Sequence, residues 1–154
     1  MIALPTIEQI MVKIITVLLL CTTVAMAFTF KQGPPETWRK DQLMEPAALA
    51  NLIGKTEQPT IFSIGFGAGI KNSIVMGPVS DSANLLKWKE QLQKLPKDAN
   101  IVIYCGCCPF EHCPNARPAF KLLNDLQFTN AKLLDLSHNL KADWIDKGYP
   151  VDAK

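Results

Sequence analysis

Residues 101–104 (Ile-Val-Ile-Tyr) form an uninterrupted apolar run, and this run constrains the fold more than any other feature of the sequence. Such a run, preceded by turn-forming residues, is typical of a strand that is buried on both faces of a parallel sheet. Strand-like and helix-like segments alternate along the chain, which predicts an α/β domain whose mostly parallel central sheet is flanked by helices. The other strand-like segments are 60–64, 73–76 and 133–136, and the helix-like segments are 46–53, 82–95, 118–126 and 139–147.

Segment 82–95 has the clearest helical pattern. Its apolar residues recur every three or four positions, and Lys and Glu occupy much of the remainder. This spacing predicts one apolar stripe that packs into the core. The stripe consists of Leu85, Trp88, Leu92 and Leu95.

The composition fits one globular domain. The chain has 154 residues, of which 48% are hydrophobic and 19% are charged, so a core can form. Its formal net charge is +2 and its lysines are spread along the sequence, which argues against nucleic-acid binding. We expect contact with a membrane only through the N-terminal segment, if that segment is not removed.

That N-terminal segment has the features of a secretory signal peptide. Residues 14–27 are uncharged and apolar, follow a lysine, and end in a small-x-small sequence at Ala27. Spanning a bilayer takes about 20 apolar residues, so a retained anchor is the less favoured alternative. A lipoprotein attached at Cys21 is also disfavoured, because Leu20 stands where a small residue is normally required.

We therefore predict three parts: a signal peptide at 1–27, a linker at 28–40 and a single domain at 41–154. The linker contains a Gly-Pro-Pro sequence and shows no periodicity. Met11 is an alternative start of the chain. Cleavage after Ala27 would deliver the protein to the periplasm or outside the cell.

After that cleavage, the remaining cysteines all fall within nine residues, directly after the predicted strand 101–104. Cysteines that stabilise a fold through disulfides are distributed along the chain, so this concentration indicates a site. Open α/β sheets bind ligands outside the carboxyl ends of their strands, which is where the cluster begins. The cluster comprises Cys105, Cys107, Cys108 and Cys113.

Cys105 opens the loop after the strand, and Arg117 closes it near the start of the next helix. This arrangement resembles the active-site loop of the rhodanese (sulfurtransferase) family, and 144–151 (Trp-Ile-Asp-Lys-Gly-Tyr-Pro-Val) resembles the end of its domain. The resemblance covers residues 43–151. It implies a small rhodanese-like domain in which Cys105 accepts sulfur as a persulfide and passes it to a thiophilic acceptor or a partner-protein thiol. It implies no cofactor.

Physical chemistry agrees with these roles. The nucleophilic form of cysteine is the thiolate, which needs positive potential to exist near neutral pH. The start of a helix supplies unpaired N–H groups and the positive end of the dipole. Arg117 would add a planar fork that suits a small anionic sulfur donor such as thiosulfate.

Some features depart from the family pattern. In the family the arginine follows the cysteine more closely than here, where Cys105 and Arg117 are twelve positions apart. Cys113 lies four positions before Arg117 and is a rival nucleophile. Ser63 and Gly65 stand where the family's early acidic and basic residues would be expected. A cysteine-phosphatase loop is disfavoured, because the gap between Cys113 and Arg117 is too short.

Two other uses of the cysteines remain open. Several thiolates near His112 and Glu111 could hold Cu(I) or Zn²⁺, although the spacing is not a standard zinc motif. The protein would then be a non-catalytic module that binds a metal or a partner through its loop. Alternatively, a disulfide such as Cys108–Cys113 could close the loop and leave Cys105 free.

We interpret the histidines and tryptophans as structural residues. His112 and His138 are expected at the surface, and Trp38, Trp88 and Trp144 are expected to be packing residues.

Overall fold

A computed structural model describes residues 7–8, 38–66 and 69–152. Apart from residues 7–8, the predicted signal peptide lies outside the described residues, as does most of the predicted linker. Within the described part of the chain, no helix is long and apolar enough to cross a membrane. One compact unit spans Trp38–Lys154.

This unit contains a five-stranded parallel sheet with helices on both faces, as predicted. The strands are β1 (Leu43–Met44), β2 (Thr60–Ser63), β3 (Ser73–Val75), β4 (Ile101–Tyr104) and β5 (Ala131–Leu134), in the spatial order β1-β5-β4-β2-β3. The α-helices are α1 (Pro46–Leu52), α2 (Ser82–Leu92) and α3 (Ala116–Asp125). Short 3-10 turns at Lys40–Gln42 and Phe110–His112 and a π-helical turn at Lys141–Ile145 complete the described elements.

Strand β4 lies at the centre of the sheet, and all of its side chains are buried. Ile101 and Ile103 face the cluster that includes helices α2 and α3. Val102 and Tyr104 face the opposite cluster, with helix α1 and the C-terminal turn. Because successive side chains of a strand point to opposite faces, a run that is apolar at every position needs cover on both sides. The prediction made from this run is confirmed.

Helix α2 begins where Asp81 accepts hydrogen bonds from the backbone N–H groups of the first turn. Trp88 and Leu92 are fully buried, and Leu85 and Leu95 pack against the same cluster. The Trp88 ring meets Phe62 edge-on, with 4.7 Å between ring centroids. The predicted apolar stripe is therefore confirmed.

Several boundaries differ from the sequence prediction. Strand β5 covers Ala131–Leu134 rather than 133–136, because its register is fixed by pairing with β4, where Ile101 lies opposite Ala131. Strand β1 was not predicted, since two residues carry no periodicity and are defined only by pairing with β5. The expected helix 139–147 is a π-helical turn, in which the Asp143 carboxylate accepts hydrogen bonds from two backbone N–H groups.

The two remaining tryptophans also pack as expected. Trp144 is fully buried, donates a hydrogen bond from its indole N–H to the Pro150 carbonyl at 2.9 Å, and meets Tyr149 edge-on. Trp38 packs edge-on against Phe110 and Phe120. Trp38 therefore packs on the face of the sheet covered by α2 and α3, and Trp144 packs on the face covered by α1.

Candidate active site

Cys105 is the first residue after β4, so it lies at the carboxyl edge of the sheet, beside the loop that follows β2. The backbone N–H of Ile64 donates to the Tyr104 carbonyl at 2.9 Å, which extends the pairing of the two strands to this edge. A Cβ atom on Gly65 would lie 2.4 Å from the Cys105 sulfur. A glycine is therefore required there, at one of the positions where the family pattern suggested a charged side chain.

The cysteine-containing segment is anchored at several points. Phe110 is buried, and its backbone N–H donates to the Leu136 carbonyl at 3.0 Å. The carbonyl of Gly106 accepts a hydrogen bond from the Leu140 N–H at 3.1 Å. These contacts fix the conformation of the loop. The loop is longer than the family loop that it resembles.

Cys105 and Cys113 are both buried, with 4% of their surface exposed, while Cys107 is exposed and Cys108 is half-buried. The Sγ atom of Cys105 lies 3.4 Å from that of Cys107, which in turn lies 3.4 Å from that of Cys108. The four described cysteines are free. The suggested Cys108–Cys113 disulfide is therefore not found, because Cys108 lies beside Cys107 while Cys113 interacts with Cys105.

The environment of Cys105 favours its thiolate. Hydrogen bonding from the Cys113 thiol is the largest cause, and together with bonds from the Cys107 backbone N–H and the Asn115 amide it lowers the pKa of Cys105 to about 5. These interactions outweigh burial, which alone would raise that pKa. The same pairing, followed by burial, raises the pKa of Cys113. In this geometry Cys105 is the anion and Cys113 is the proton donor to it.

Cys107 has the opposite tendency. Burial, hydrogen bonding to Cys105 and Cys108, and the charges of these neighbours raise its pKa to about 12. It is therefore a protonated thiol at neutral pH, placed between a buried thiolate and the surface.

Asn115 is the functional candidate that the sequence analysis missed. Its side chain is buried, and its Oδ1 accepts a hydrogen bond from the Ser80 backbone N–H at 2.9 Å. That contact orients the amide so that its Nδ2 donates to the Cys105 sulfur at 3.5 Å. An asparagine just before a helix is ordinarily interpreted as a cap, but here the side chain makes no capping bond.

Arg117 lies in the first turn of α3 and is exposed. Its guanidinium carbon lies 5.0 Å from the centroid of the Trp38 ring. Among the described residues, no hydrogen bond connects Arg117 to any of the four sulfurs. The role of Arg117 stays a prediction.

The residues expected near a metal are only partly brought together. The sulfur atoms of Cys105, Cys107 and Cys108 all lie within 4.8 Å of one another and could hold an ion. His112 and Glu111 are exposed and do not belong to this group of ligand atoms. His138, also exposed, contacts Asp143 through its ring nitrogen at 3.0 Å.

No family model matches the sequence, and no curated protein matches it significantly. Solved structures match it at the level of the fold. A single-domain sulfurtransferase from Saccharomyces cerevisiae superposes with a TM-score of 0.51 and 15% identity, over 73% of this chain and 95% of that one. An anaerobic ergothioneine biosynthesis enzyme from Chlorobium limicola gives a TM-score of 0.53 and 16% identity, over 72% of this chain and 28% of that one.

A third match is a variant of EanB that carries a cysteine persulfide and ergothioneine, with a TM-score of 0.51 and 17% identity over 71% of this chain. This chain spans 27% of that EanB variant. The neighbours share the parallel sheet with flanking helices that the sequence predicted. The fold implied by the sequence resemblance is confirmed.

Proposed function

We propose that this chain, which has a rhodanese-like fold, is a sulfurtransferase that carries sulfane sulfur as a persulfide on Cys105. The observation that supports this most directly is the lowered pKa of Cys105, a buried cysteine at the carboxyl edge of the sheet. Most free cysteines are protonated at neutral pH, whereas a thiol with a pKa of about 5 is almost fully ionised there.

The proposed first step forms the persulfide. The Cys105 thiolate attacks the outer sulfur of a small anionic donor, for which thiosulfate is the simplest example. A bond forms between the two sulfurs, the S–S bond of thiosulfate breaks, and sulfite leaves with the electron pair. The product is a persulfide on Cys105, and no other oxidant or reductant is needed.

The second step transfers the sulfur. A thiophilic acceptor attacks the outer sulfur of the persulfide, and Cys105 leaves as a thiolate. A sulfur of low pKa is a good leaving group, so the same environment assists both steps. The Asn115 amide and the Cys107 backbone N–H, which bond to Cys105 in the resting protein, would stabilise that thiolate as it departs.

The proposed role of Arg117 is to bind the anionic part of the donor. Its guanidinium is exposed and lies over Trp38, on the turn that begins one residue after Asn115. A planar guanidinium binds oxyanions through two parallel hydrogen bonds. This placement supports a donor that approaches from the surface toward the sheet edge.

We further propose that the protein is exported through the predicted signal peptide and works in the periplasm or outside the cell. N-terminal sequencing of the exported protein should then begin at Phe28. Recovery of residues 14–27 in the membrane fraction would contradict this.

The decisive experiment is to incubate the reduced protein with thiosulfate and to locate added sulfur by mass spectrometry. We expect one additional sulfur atom on Cys105, which cyanide then removes as thiocyanate. Cys105→Ser should abolish loading, while Cys113→Ala should load more slowly because the hydrogen bond to the thiolate is lost. Loading of Cys105→Ser on Cys113 would instead assign the nucleophile to Cys113.

A soft-metal site is the second candidate function, because three sulfurs lie within 4.8 Å of one another. Cu(I) favours thiolate ligands and accepts three of them. Anaerobic titration with Cu(I) against a competing chelator measures its affinity. A non-catalytic metal protein should bind Cu(I) tightly, resist alkylation until chelator is added, and take up no sulfur from thiosulfate.

A further inference from the structure

The sulfurtransferase proposal gives a role to the backbone N–H of Cys107 but none to its thiol, although the Cys107 sulfur lies 3.4 Å from that of Cys105. We propose that Cys107 is a second sulfur carrier, which takes the outer sulfur from the Cys105 persulfide and presents it to a bulky thiol acceptor such as a partner protein. This inference depends on the proposed function, because it requires a persulfide on Cys105.

The difference in exposure between the two cysteines supports this relay. Cys105 has 4% of its surface exposed, whereas Cys107 is exposed. Gly65 lies so close to the Cys105 sulfur that a side chain at position 65 would clash with it. A small ion can approach a recessed sulfur, but a cysteine on another protein must bring its backbone and neighbours with it. Cys107 would carry the sulfur from the buried Cys105 to the protein surface, where a cysteine on another protein can reach it.

The loop holds the two sulfurs in place for transfer. A single residue, Gly106, separates them in sequence, and its carbonyl accepts a hydrogen bond from the Leu140 N–H at 3.1 Å. A Cβ atom on Gly106 would lie 3.1 Å from the Leu140 Cβ, so the backbone packs tightly at this point. Proximity of this kind makes the transfer effectively intramolecular.

The transfer step balances without a further reactant. Loading from thiosulfate leaves the Cys105 persulfide as its anion, and the Cys107 thiol passes its proton to the outer sulfur of that persulfide. The Cys107 sulfur then attacks the same outer sulfur, the S–S bond breaks, and Cys105 leaves as a thiolate with the electron pair. The product is a protonated persulfide on Cys107. In net terms, a persulfide and a thiol exchange one sulfur atom, and nothing is oxidised or reduced overall.

Attack on the inner sulfur is the competing reaction. It would form a Cys105–Cys107 disulfide and release hydrogen sulfide. Thiol exchange favours departure of the sulfur with the lower pKa. The Asn115 amide donates a hydrogen bond to the Cys105 sulfur at 3.5 Å and stabilises that sulfur as it departs, so transfer of the outer sulfur is favoured.

The test uses the reduced full chain, loaded with thiosulfate and freed of excess donor. Two acceptors with the same thiol are compared: free glutathione, and glutathione attached to a soluble dextran. Cys107→Ser should still load sulfur on Cys105 and transfer it to free glutathione. The ratio of its rate with the dextran-bound thiol to its rate with free glutathione should be about tenfold or more below the same ratio in the parent.

Cys108→Ser is the matched control, because it makes the same change from cysteine to serine at the neighbouring position. We expect this variant to keep the parent's ratio of rates between the two acceptors. Fragmentation spectra of the parent should show persulfide first on Cys105 and then on Cys107. Equal ratios for Cys107→Ser and the parent would overturn the relay. So would formation of a Cys105–Cys107 disulfide with release of sulfide. If the parent takes up no sulfur on Cys105, the proposed function itself fails.

Discussion

The Asn115 side chain joins two segments that are distant in sequence: its Oδ1 accepts from the Ser80 backbone N–H at 2.9 Å, and its Nδ2 donates to the Cys105 sulfur at 3.5 Å. The first bond determines which end of the amide faces the sulfur. The donor end therefore meets the thiolate, as its stabilisation requires. Gly65 closes another side of the same sulfur.

Asn115→Asp tests this arrangement with almost no change in shape. The carboxylate can still accept from Ser80, but it would place a negative charge beside Cys105 instead of a donor. We expect the pKa of Cys105 to rise by about one unit or more. At neutral pH the thiol would still be mostly ionised, so sulfur loading should slow most near a pH of about 5, the pKa of Cys105 in the parent. The pH dependence of alkylation by iodoacetamide measures the shift.

Ser80→Ala is the control for that variant, because Ser80 is exposed and contributes only its backbone N–H to the contact. It should leave the pKa of Cys105 unchanged. An unchanged alkylation profile in Asn115→Asp would show that the amide does not stabilise the thiolate.

The order in which the cysteines react with iodoacetamide is a second prediction. The pKa of Cys105 is lowered to about 5, so its reactivity should rise as the pH increases through that value and then level off. The pKa of Cys107 is raised to about 12 and that of Cys113 is also raised, so both should remain protonated at neutral pH. At about pH 6, Cys105 should therefore be labelled before either of them.

Peptide mapping at successive times ranks the sulfurs directly. Labelling of Cys113 before Cys105 would assign the thiolate to Cys113, four positions before Arg117. Protection of every cysteine until a chelator is added would favour the metal site. Cys105→Ser provides the reference for the background reaction.

Much of the fold could be predicted because the elements bury residues in regular patterns. The run 101–104 needs cover on both faces, so strand β4 was located correctly. The stripe in 82–95 faces one core, so helix α2 was also predicted, although it ends at Leu92. The position of Cys105 at the sheet edge followed from the strand before it. Strand β1 could not be predicted in this way, because its pairing partner β5 is about ninety residues away.

The details of the site depend on contacts that no local pattern records. Asn115 acts on Cys105 because a loop from another part of the chain supplies Ser80. Gly65 is needed because a sulfur forty positions later lies against it. The separation of Cys108 from Cys113 depends on how Phe110 folds the loop between them. Each of these follows from the tertiary structure.

Trp88→Ala should destabilise the domain without changing the chemistry. Trp88 is fully buried, meets Phe62 edge-on and donates its indole N–H to the Ala119 carbonyl at 3.3 Å. Removing such a side chain costs about 3–5 kcal/mol of unfolding free energy. Leu86→Ala is the control on the same helix, since Leu86 is 57% exposed. Coincident denaturant midpoints for Trp88→Ala and the parent would contradict the packing described for α2.

Arg117→Lys tests whether the guanidinium binds the anionic donor. The change keeps the charge but removes the planar fork and weakens stacking on Trp38, whose ring centroid lies 5.0 Å from the guanidinium carbon. We expect KM for thiosulfate to rise by about tenfold, the loss of about 1.4 kcal/mol of binding, with a smaller change in kcat.

The matched control for charge is Lys121→Gln, which removes a cation one turn further along α3, where Lys121 pairs with Asp125 in an exposed position. If a general positive field attracts the donor, Lys121→Gln should raise KM, while Arg117→Lys, which keeps its charge, should not. If the fork binds the donor, Lys121→Gln should behave like the parent.

Alkylation of Cys105 by neutral iodoacetamide should stay the same in both variants, because no hydrogen bond joins Arg117 to the sulfur among the described residues. A slower alkylation in Arg117→Lys would instead mean that the arginine stabilises the thiolate itself, and an unchanged KM would exclude it from donor binding.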